Sequence, residues 1–244
     1  MRLLSDFTLE LKRFSRANWW IYIIYFLLLA AILMVEREKL LSVFMITSLH
    51  FVADIFIMMM FTAYANGNNQ RGTYCQVMSM LLFMSLKIYT GMIDNSWHYL
   101  AADPLYILAA IKNYRKDVLQ LSTHWISTTS MTLLALCIFS FLIYARFMWK
   151  SSILATPSQW VQTTGIFLFA IALSITVNEK KRAAVATIAL LLMVVGSAWE
   201  TYLSFKNRQI VGLALSYFLL PLTVLVFYAS NISWRGFRKP SIQL

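Results

Sequence analysis

Apolar residues form eight long runs along the chain, and short clusters of charged or small polar residues separate them. A helix needs about 20 apolar residues to cross the hydrocarbon core of a bilayer, and the runs are close to that length. In most of them apolar side chains occupy every face of a helix, which is typical of helices surrounded by lipid or by other apolar helices. The pattern predicts eight membrane-spanning helices, at about 19–35, 41–64, 74–93, 97–113, 125–148, 160–177, 183–205 and 210–231.

The first 18 residues show a different pattern, because their apolar side chains recur on one face of a helix. That face contains Leu3, Leu4, Phe7, Leu11 and Phe14. Lys12, Arg13 and Arg16 follow, and basic side chains at such positions meet the headgroups of anionic lipid. We therefore expect 1–18 to form an amphipathic helix on the cytoplasmic surface of the membrane.

Residues 97–113 are the ambiguous run, since they are short and contain Asp103 and Pro104. If this segment spans, the cytoplasmic side holds 14 of the 21 Lys and Arg residues and the outer side holds six, with Lys87 inside the membrane. If it does not span, the division becomes nine against 11. The positive-inside rule therefore predicts eight spans with both termini in the cytoplasm.

The predicted fold class is an all-α polytopic membrane protein whose helices are arranged as 1+3+1+3. The two three-helix bundles would be parallel repeats, because an odd number of helices separates them and they insert with the same orientation. The predicted units are an extra N-terminal helix at 19–40, a first bundle at 41–113, a linker helix at 124–148, a second bundle at 160–231 and a basic cytoplasmic tail at 232–244.

Composition supports a membrane protein, since 60% of the 244 residues are hydrophobic and the mean hydropathy is +0.66. A soluble domain of this length could not bury so much apolar surface. The formal net charge of +11 is compatible with nucleic-acid binding, but the basic residues lie in small clusters between apolar runs. That distribution is typical of charges that orient a membrane protein, so we expect no nucleic-acid partner.

Two ionisable residues lie at matched positions in the predicted spans. A shift of 113 residues places Lys87 over Glu200 and Tyr89 over Tyr202. A charged side chain at the centre of a span costs roughly 2.5–3.5 kcal/mol and needs a partner or a function. We hypothesise that Lys87 and Glu200 lie at the same depth on facing walls, where they pair or bind a polar solute. A purely structural salt bridge and a Lys87 that extends to the headgroups are the alternatives.

The second predicted span is apolar except for Thr47, His50 and Asp54, which share one helix face. Asp54 follows His50 by one turn and could orient the imidazole and favour its charged form. We interpret His50 and Asp54 either as a proton-coupling pair or as an inward-facing polar pair that bonds to a neighbouring helix.

Prolines and aromatic residues supply further candidates. Pro104 and Pro221 lie in corresponding spans and would kink them, either as hinges for alternating access or as simple packing features. Aromatic side chains that could offer flat faces to a ring-shaped solute are Tyr89, Tyr106, Trp199, Tyr202 and Tyr217.

Enzyme signatures such as HExxH, GxSxG, a P-loop or paired cysteines do not occur in the sequence. The three histidines are too few for two bis-histidine haem sites. We therefore expect no catalytic residues, no cofactor and no metal, with a single haem or metal site at His50 as the alternative. Nothing resembles an ATPase, so transport would be passive or ion-coupled.

The arrangement resembles that of two related families, the SWEET sugar transporters and the PnuC nicotinamide riboside transporters, which also join three-helix bundles by a linker helix. The run 99–103, Tyr-Leu-Ala-Ala-Asp, is similar to the place in the third helix where those families often have an asparagine that faces the solute. The resemblance covers about 41–231 and implies that Asp103, Trp199 and Tyr202 lie near a solute pocket.

The chain departs from the family pattern at several points. The first helix of each bundle lacks the proline typical of sugar transporters, and no clear Trp-x-x-Trp pattern of the vitamin transporters is found. Asp103 replaces the asparagine, and Ser216 occupies the matching place in the second bundle. The inferred orientation, with the bundles starting outside, fits the sugar transporters better.

We expect a facilitator of a small polar, ring-containing metabolite, either a vitamin precursor or a nucleoside, that binds near the midplane between the bundles. A sugar uniporter, a non-transporting membrane subunit and a haem- or metal-binding redox subunit are the alternatives. The expected partners are the solute and the lipid bilayer, and a homo-oligomer is left open. The expected location is a bacterial inner membrane.

Overall fold

The computed structural model describes residues 2–35, 40–94, 97–123, 126–148, 156–175, 179–206 and 211–229. Within these ranges the regular secondary structure is entirely helical, which confirms the all-α class. The α-helices are α1 Arg2–Ala17, α2 Trp19–Val35, α3 Leu40–Ala65, α4 Asn69–Asp94, α5 Asp103–Asp117, α6 Thr128–Met148, α7 Pro157–Ser174, α8 Glu179–Lys206 and α9 Val211–Tyr228. The predicted basic tail, 232–244, lies outside the described residues.

Several helices have the length and hydropathy needed to cross a membrane. Three qualify individually, over Leu41–Ala65 of α3, Thr128–Met148 of α6 and Lys181–Lys206 of α8. Leu11–Ala17 of α1 and Trp19–Ile32 of α2 qualify together, although they are bent by 79°. The other helices are shorter or more polar over their described parts. These apolar helices indicate a membrane-embedded protein, with three or four candidate spans compared with the eight that the sequence predicts.

Helix α1 lies across the end of α2, because the chain bends by 79° between them. Phe14 is buried against Phe227 of α9, with the ring centroids 5.7 Å apart. Lys12, Arg13 and Arg16 are exposed on the other side of α1. One face of α1 therefore packs on the helix bundle, while its basic face stays accessible to lipid headgroups.

The order of helix packing repeats after four helices. In a first triplet α3 packs against α4 and α4 against α5, and in a second triplet α7 packs against α8 and α8 against α9. The triplets meet where α3 packs against α9 and α5 against α7. Helix α2 adds to α3 and α9, just as α6 adds to α7 and α5. The contacts of each helix in α2–α5 are therefore equivalent to those of the corresponding helix in α6–α9, where α2 corresponds to α6, α3 to α7, α4 to α8 and α5 to α9.

The ambiguous segment begins with a 3-10 helix, Trp97–Ala102, and continues as α5, which runs antiparallel to α4. Near one end of this helix pair, Thr73 Oγ1 donates a hydrogen bond to Asp117 Oδ2 at 3.0 Å. Near the other end, Lys87 pairs with Asp103. The chain therefore returns along the whole of α4 between residues 97 and 117.

The two candidate hinge prolines occupy different positions. Pro104 lies in the first turn of α5, where the N–H that proline lacks would have no helical partner. The prediction of a kink at Pro104 is therefore wrong, since this proline lies in the first turn of a helix. Pro221 lies inside α9, as predicted. A hinge role for either residue stays a prediction.

Helices α7 and α8 approach each other closely at two glycines. A Cβ atom on Gly165 would lie 2.8 Å from the backbone of Ala189 and Met193, and one on Gly196 would lie 2.7 Å from the backbone nitrogen of Gln162. Real Cβ atoms essentially never make contacts below 3.0 Å, so the two backbones can approach this closely only at glycine. Helix α5 packs against α7 of this pair.

Candidate functional site

Lys87 and Asp103 form a largely buried ion pair between α4 and α5. The Lys87 ammonium donates a hydrogen bond to Asp103 Oδ1, and it lies 5.4 Å from the centre of the Tyr106 ring. Asp103 is 5% exposed and stands in the first turn of α5, where the helix N-terminus favours a negative charge. Each member of this pair therefore has a partner of opposite sign.

The pairing of Lys87 with Glu200 that the sequence suggests does not occur between these two described residues. Glu200 accepts hydrogen bonds from the hydroxyl groups of Ser158 and Thr156, the second at 3.4 Å. The reason is the packing, since α4 packs against α3 and α5, whereas α8 packs against α7 and α9. Each charge therefore finds a partner inside its own triplet.

Helices α5 and α7 run parallel where the two triplets meet. Tyr106 donates its hydroxyl proton to Ile166 O at 2.9 Å, and Asn113 donates Nδ2 to Leu173 O at 3.1 Å. Between these two contacts both helices advance by seven residues in the same direction. This constant register determines which side chains of α5 and α7 lie at the same level.

One turn before the Tyr106–Ile166 contact, the register brings Asp103 and Thr163 to the same level. Both are buried, and within the described chain neither Asp103 Oδ2 nor Thr163 Oγ1 has a hydrogen-bond partner. An unsatisfied buried polar group costs about 1–3 kcal/mol, so two such groups at one junction mark a place that suits a polar ligand. Sequence analysis missed Thr163, because only the α5–α7 register connects it to Asp103.

His50 and Asp54 are buried on one face of α3, as the sequence predicts. His50 Nε2 lies 3.8 Å from Asp54 Oδ2, and the His50 ring meets Phe83 of α4 edge-on at 5.3 Å. Thr47 is also buried, and its Oγ1 has no hydrogen-bond partner in the described part of the chain. The three side chains therefore form a polar cluster inside the first triplet. A proton-coupling role for His50 and Asp54 stays a prediction.

The expected aromatic lining is not brought to the α5–α7 junction. Trp199 is 43% exposed, Tyr202 64% and Tyr89 39%, so these three side chains lie on the outer surface of the helices. Tyr106 is the aromatic residue that the structure places at the junction. The side chain of Tyr217 lies outside the described part of the protein. We therefore leave Trp199, Tyr202 and Tyr89 out of the candidate site.

A second polar cluster joins α3, α4, α5 and α7 near the other end of α5. Gln76 Oε1 accepts hydrogen bonds from Tyr64 at 3.0 Å and from Asn113 at 2.7 Å. Lys112 donates to Ser174 O at 2.7 Å, at the C-terminus of α7. Lys112 is one of the 14 Lys and Arg residues that the predicted topology places on the cytoplasmic side. In the structure it satisfies a carbonyl oxygen that the helix end leaves without an intrahelical donor.

Among the described residues, no group of three or more His, Cys, Asp or Glu side chains could hold a metal ion. Comparison of the chain with protein-family models, curated proteins and solved structures finds no match. The function is therefore inferred from the geometry of the helix bundle and of its buried polar groups.

Proposed function

We propose that this protein is a membrane transporter that lets a small, polar, ring-containing metabolite cross the bilayer between the two triplets. The observation that carries the proposal is the buried Lys87–Asp103 pair beside the α5–α7 junction, in which Asp103 Oδ2 has no hydrogen-bond partner among the described residues. A buried charge with spare hydrogen-bonding capacity is costly to keep in a membrane unless it serves a polar solute. A vitamin precursor or a nucleoside is the first candidate and a sugar the second.

Contacts between helix ends support a crossing pattern in which successive helices alternate in direction. The Arg182 guanidinium, near the start of α8, lies 5.1 Å from the centre of the Tyr64 ring, near the end of α3. The Tyr228 hydroxyl, at the end of α9, donates to Ala183 O at 3.4 Å. The end of α5 meets the start of α4 in the same way. These contacts are the ones expected for the eight-helix 1+3+1+3 arrangement, which is part of the proposal.

The charge distribution supports an orientation for this arrangement. Among the side chains that the structure describes, the end of the bundle where these contacts occur has six basic ones: Arg71, Lys112, Arg115, Lys116, Lys181 and Arg182. The basic face of α1 lies next to the same end, because Phe14 packs on Phe227 at the end of α9. The positive-inside rule assigns such an end to the cytoplasm. The proposal therefore places both termini in the cytoplasm and the protein in a bacterial inner membrane.

The repeated packing order supports transport by movement of one half against the other. The halves α2–α5 and α6–α9 meet through α3 with α9 and through α5 with α7. Rocking about the α3–α9 contact, where Pro221 lies inside α9, would open and close the α5–α7 junction. The solute would bind at that junction and become accessible to each side in turn.

The position of the charges argues against a subunit that lacks transport activity. Such a subunit would present its intramembrane charges to a partner protein at the lipid-facing surface. The side chains of Lys87 and Asp103 are instead 16% and 6% exposed. Their burial between α4 and α5 favours a role inside the bundle.

The test is the uptake of radiolabelled nucleosides, vitamin precursors and sugars by liposomes that contain the purified protein. Asp103→Asn keeps the size of the side chain but removes its charge, so we expect uptake to fall roughly tenfold or more. Ser85→Ala is the matched control, since Ser85 lies on the exposed face of α4 and bonds only within its own helix. The transport proposal fails if no solute accumulates above empty liposomes. If both variants transport equally well, transport stands and the role of Asp103 in it is refuted.

A further inference from the structure

We propose that Asp103 and Thr163 form a subsite that binds two neighbouring hydroxyl groups of the solute, such as those of a ribose or of a sugar ring. This inference rests on the proposed transport function and names the chemistry that its site recognises. It is carried by two buried oxygen atoms, one on each triplet, that the described part of the chain leaves without hydrogen-bond partners.

Thr163 lacks a hydrogen bond that several threonines of the described helices make, as does the buried Thr47 of α3. A helical threonine ordinarily donates its hydroxyl proton to the carbonyl oxygen four residues earlier. Threonines of this protein that do so are Thr62, Thr132, Thr164, Thr187, Thr201 and Thr223. Thr163 is 1% exposed, yet its Oγ1 makes no such bond. Its hydroxyl group is therefore available to a partner outside its own helix.

Asp103 offers the complementary group at the same level of the junction. Its Oδ1 accepts the hydrogen bond from Lys87, while its buried Oδ2 has no donor among the described residues. The parallel register of α5 and α7 places Thr163 at the same level, one turn from the hydrogen bond between Tyr106 and Ile166 O. That hydrogen bond lies between this level and the end of the bundle that has the basic residues.

The charges at the junction restrict what can bind there. The Lys87 ammonium already neutralises the Asp103 carboxylate, so a cationic solute would meet the repulsion of Lys87. An anionic solute would meet the repulsion of Asp103 in the same low-dielectric surroundings. A neutral group that donates to a carboxylate oxygen and also exchanges a hydrogen bond with a threonine hydroxyl meets neither repulsion. A vicinal diol provides both interactions with adjacent atoms.

The experiment measures thermal stabilisation of the purified protein in detergent by uridine, ribose and 2′,3′-dideoxyuridine, each titrated into the millimolar range. Uridine or ribose should raise the melting temperature of the unmodified protein, whereas the dideoxy compound should not. Thr163→Val should weaken diol binding roughly tenfold, which corresponds to about 1.4 kcal/mol. Thr163→Ser keeps the hydroxyl group and should restore binding.

Thr164→Val is the matched control, because Thr164 is the next residue of α7 and its hydroxyl group is satisfied by Trp160 O. It should bind the diol probes as the unmodified protein does. Melting temperatures without any probe show whether Thr163→Val folds, and Thr163→Ser tests the subsite if it does not. The inference is overturned if no diol probe stabilises the protein, if the dideoxy compound binds equally well, or if the variants at 163 and 164 behave alike.

The failures of the two proposals are distinguishable. Hydroxyl-dependent binding without uptake into liposomes would refute transport and leave the subsite standing. Uptake that does not depend on Thr163 or on the hydroxyl groups of the solute would refute the subsite and leave transport standing.

Discussion

Replacement of Lys87 by methionine tests how strongly the buried ion pair holds α5 against α4. Methionine has a similar length but no charge, so the variant leaves the Asp103 carboxylate buried without its ammonium partner. Removing one member of a buried ion pair costs about 3–5 kcal/mol. Because the Lys87 side chain keeps 16% of its surface exposed, we expect the lower end of that range, about 3 kcal/mol.

A double variant separates the pair from its two members. Lys87→Met with Asp103→Leu replaces both charges by apolar groups, so neither member of the pair is left as an uncompensated charge. Its stability should return to within about 1 kcal/mol of the unmodified protein. Asp103→Leu alone should also cost about 3 kcal/mol, so the double-mutant cycle should give a coupling energy of about 5 kcal/mol between the two side chains.

The assay is unfolding by a denaturing detergent in mixed micelles, followed by the fluorescence of the eight tryptophans. Ser85→Ala again serves as the control, because it removes a polar group from the exposed face of the same helix. The reasoning is refuted if each single variant loses less than about 0.5 kcal/mol and the two losses add, which is the behaviour of a solvent-exposed pair.

Three further variants test other parts of the structure. Gly165→Ala should lower the free energy of unfolding by about 1–3 kcal/mol, because its Cβ would press on the α8 backbone. Ala184→Ser, on the exposed face of α8, should leave the free energy of unfolding unchanged. Equal free energies of unfolding for the two variants would contradict the close contact. Asn113→Leu should cost about 2 kcal/mol in the same assay, because Gln76 loses a buried donor; no change would show that the amide cluster adds no stability. Phe14→Ala should release α1 from the end of α9 and speed amide hydrogen exchange in α1, and unchanged exchange would show that this contact does not hold the helix.

The positions of the helices were largely predictable from the sequence. The run at 41–64 becomes α3, Leu40–Ala65, and the run at 183–205 lies within α8, Glu179–Lys206. Polar clusters end these runs, and such signals are local. The segment from 97 differs from a continuous α-helix, since its first six residues form a 3-10 helix and Pro104 lies in the first turn of α5. A short apolar run with a proline is compatible with both arrangements.

The candidate site was predictable only in part. The sequence singled out Lys87 and Asp103, because charged residues in apolar runs need an explanation. The offset of 113 residues suggested Glu200 as the partner of Lys87, whereas in the structure Lys87 pairs with Asp103. The sequence also suggested Trp199 and Tyr202, which lie on the outer surface. The sequence shows which side chains are unusual, but it does not show which helix each of them faces.

The sequence by itself determined that this is a membrane protein built from helices, because the length and continuity of apolar runs respond to the thickness of the bilayer and need no tertiary information. The tertiary structure decided which polar groups meet. A helix that is apolar on every face has no amphipathic pattern to reveal its neighbours, so its orientation depends on packing alone. The parallel register of α5 and α7, and with it the common level of Asp103 and Thr163, could therefore come only from the folded chain.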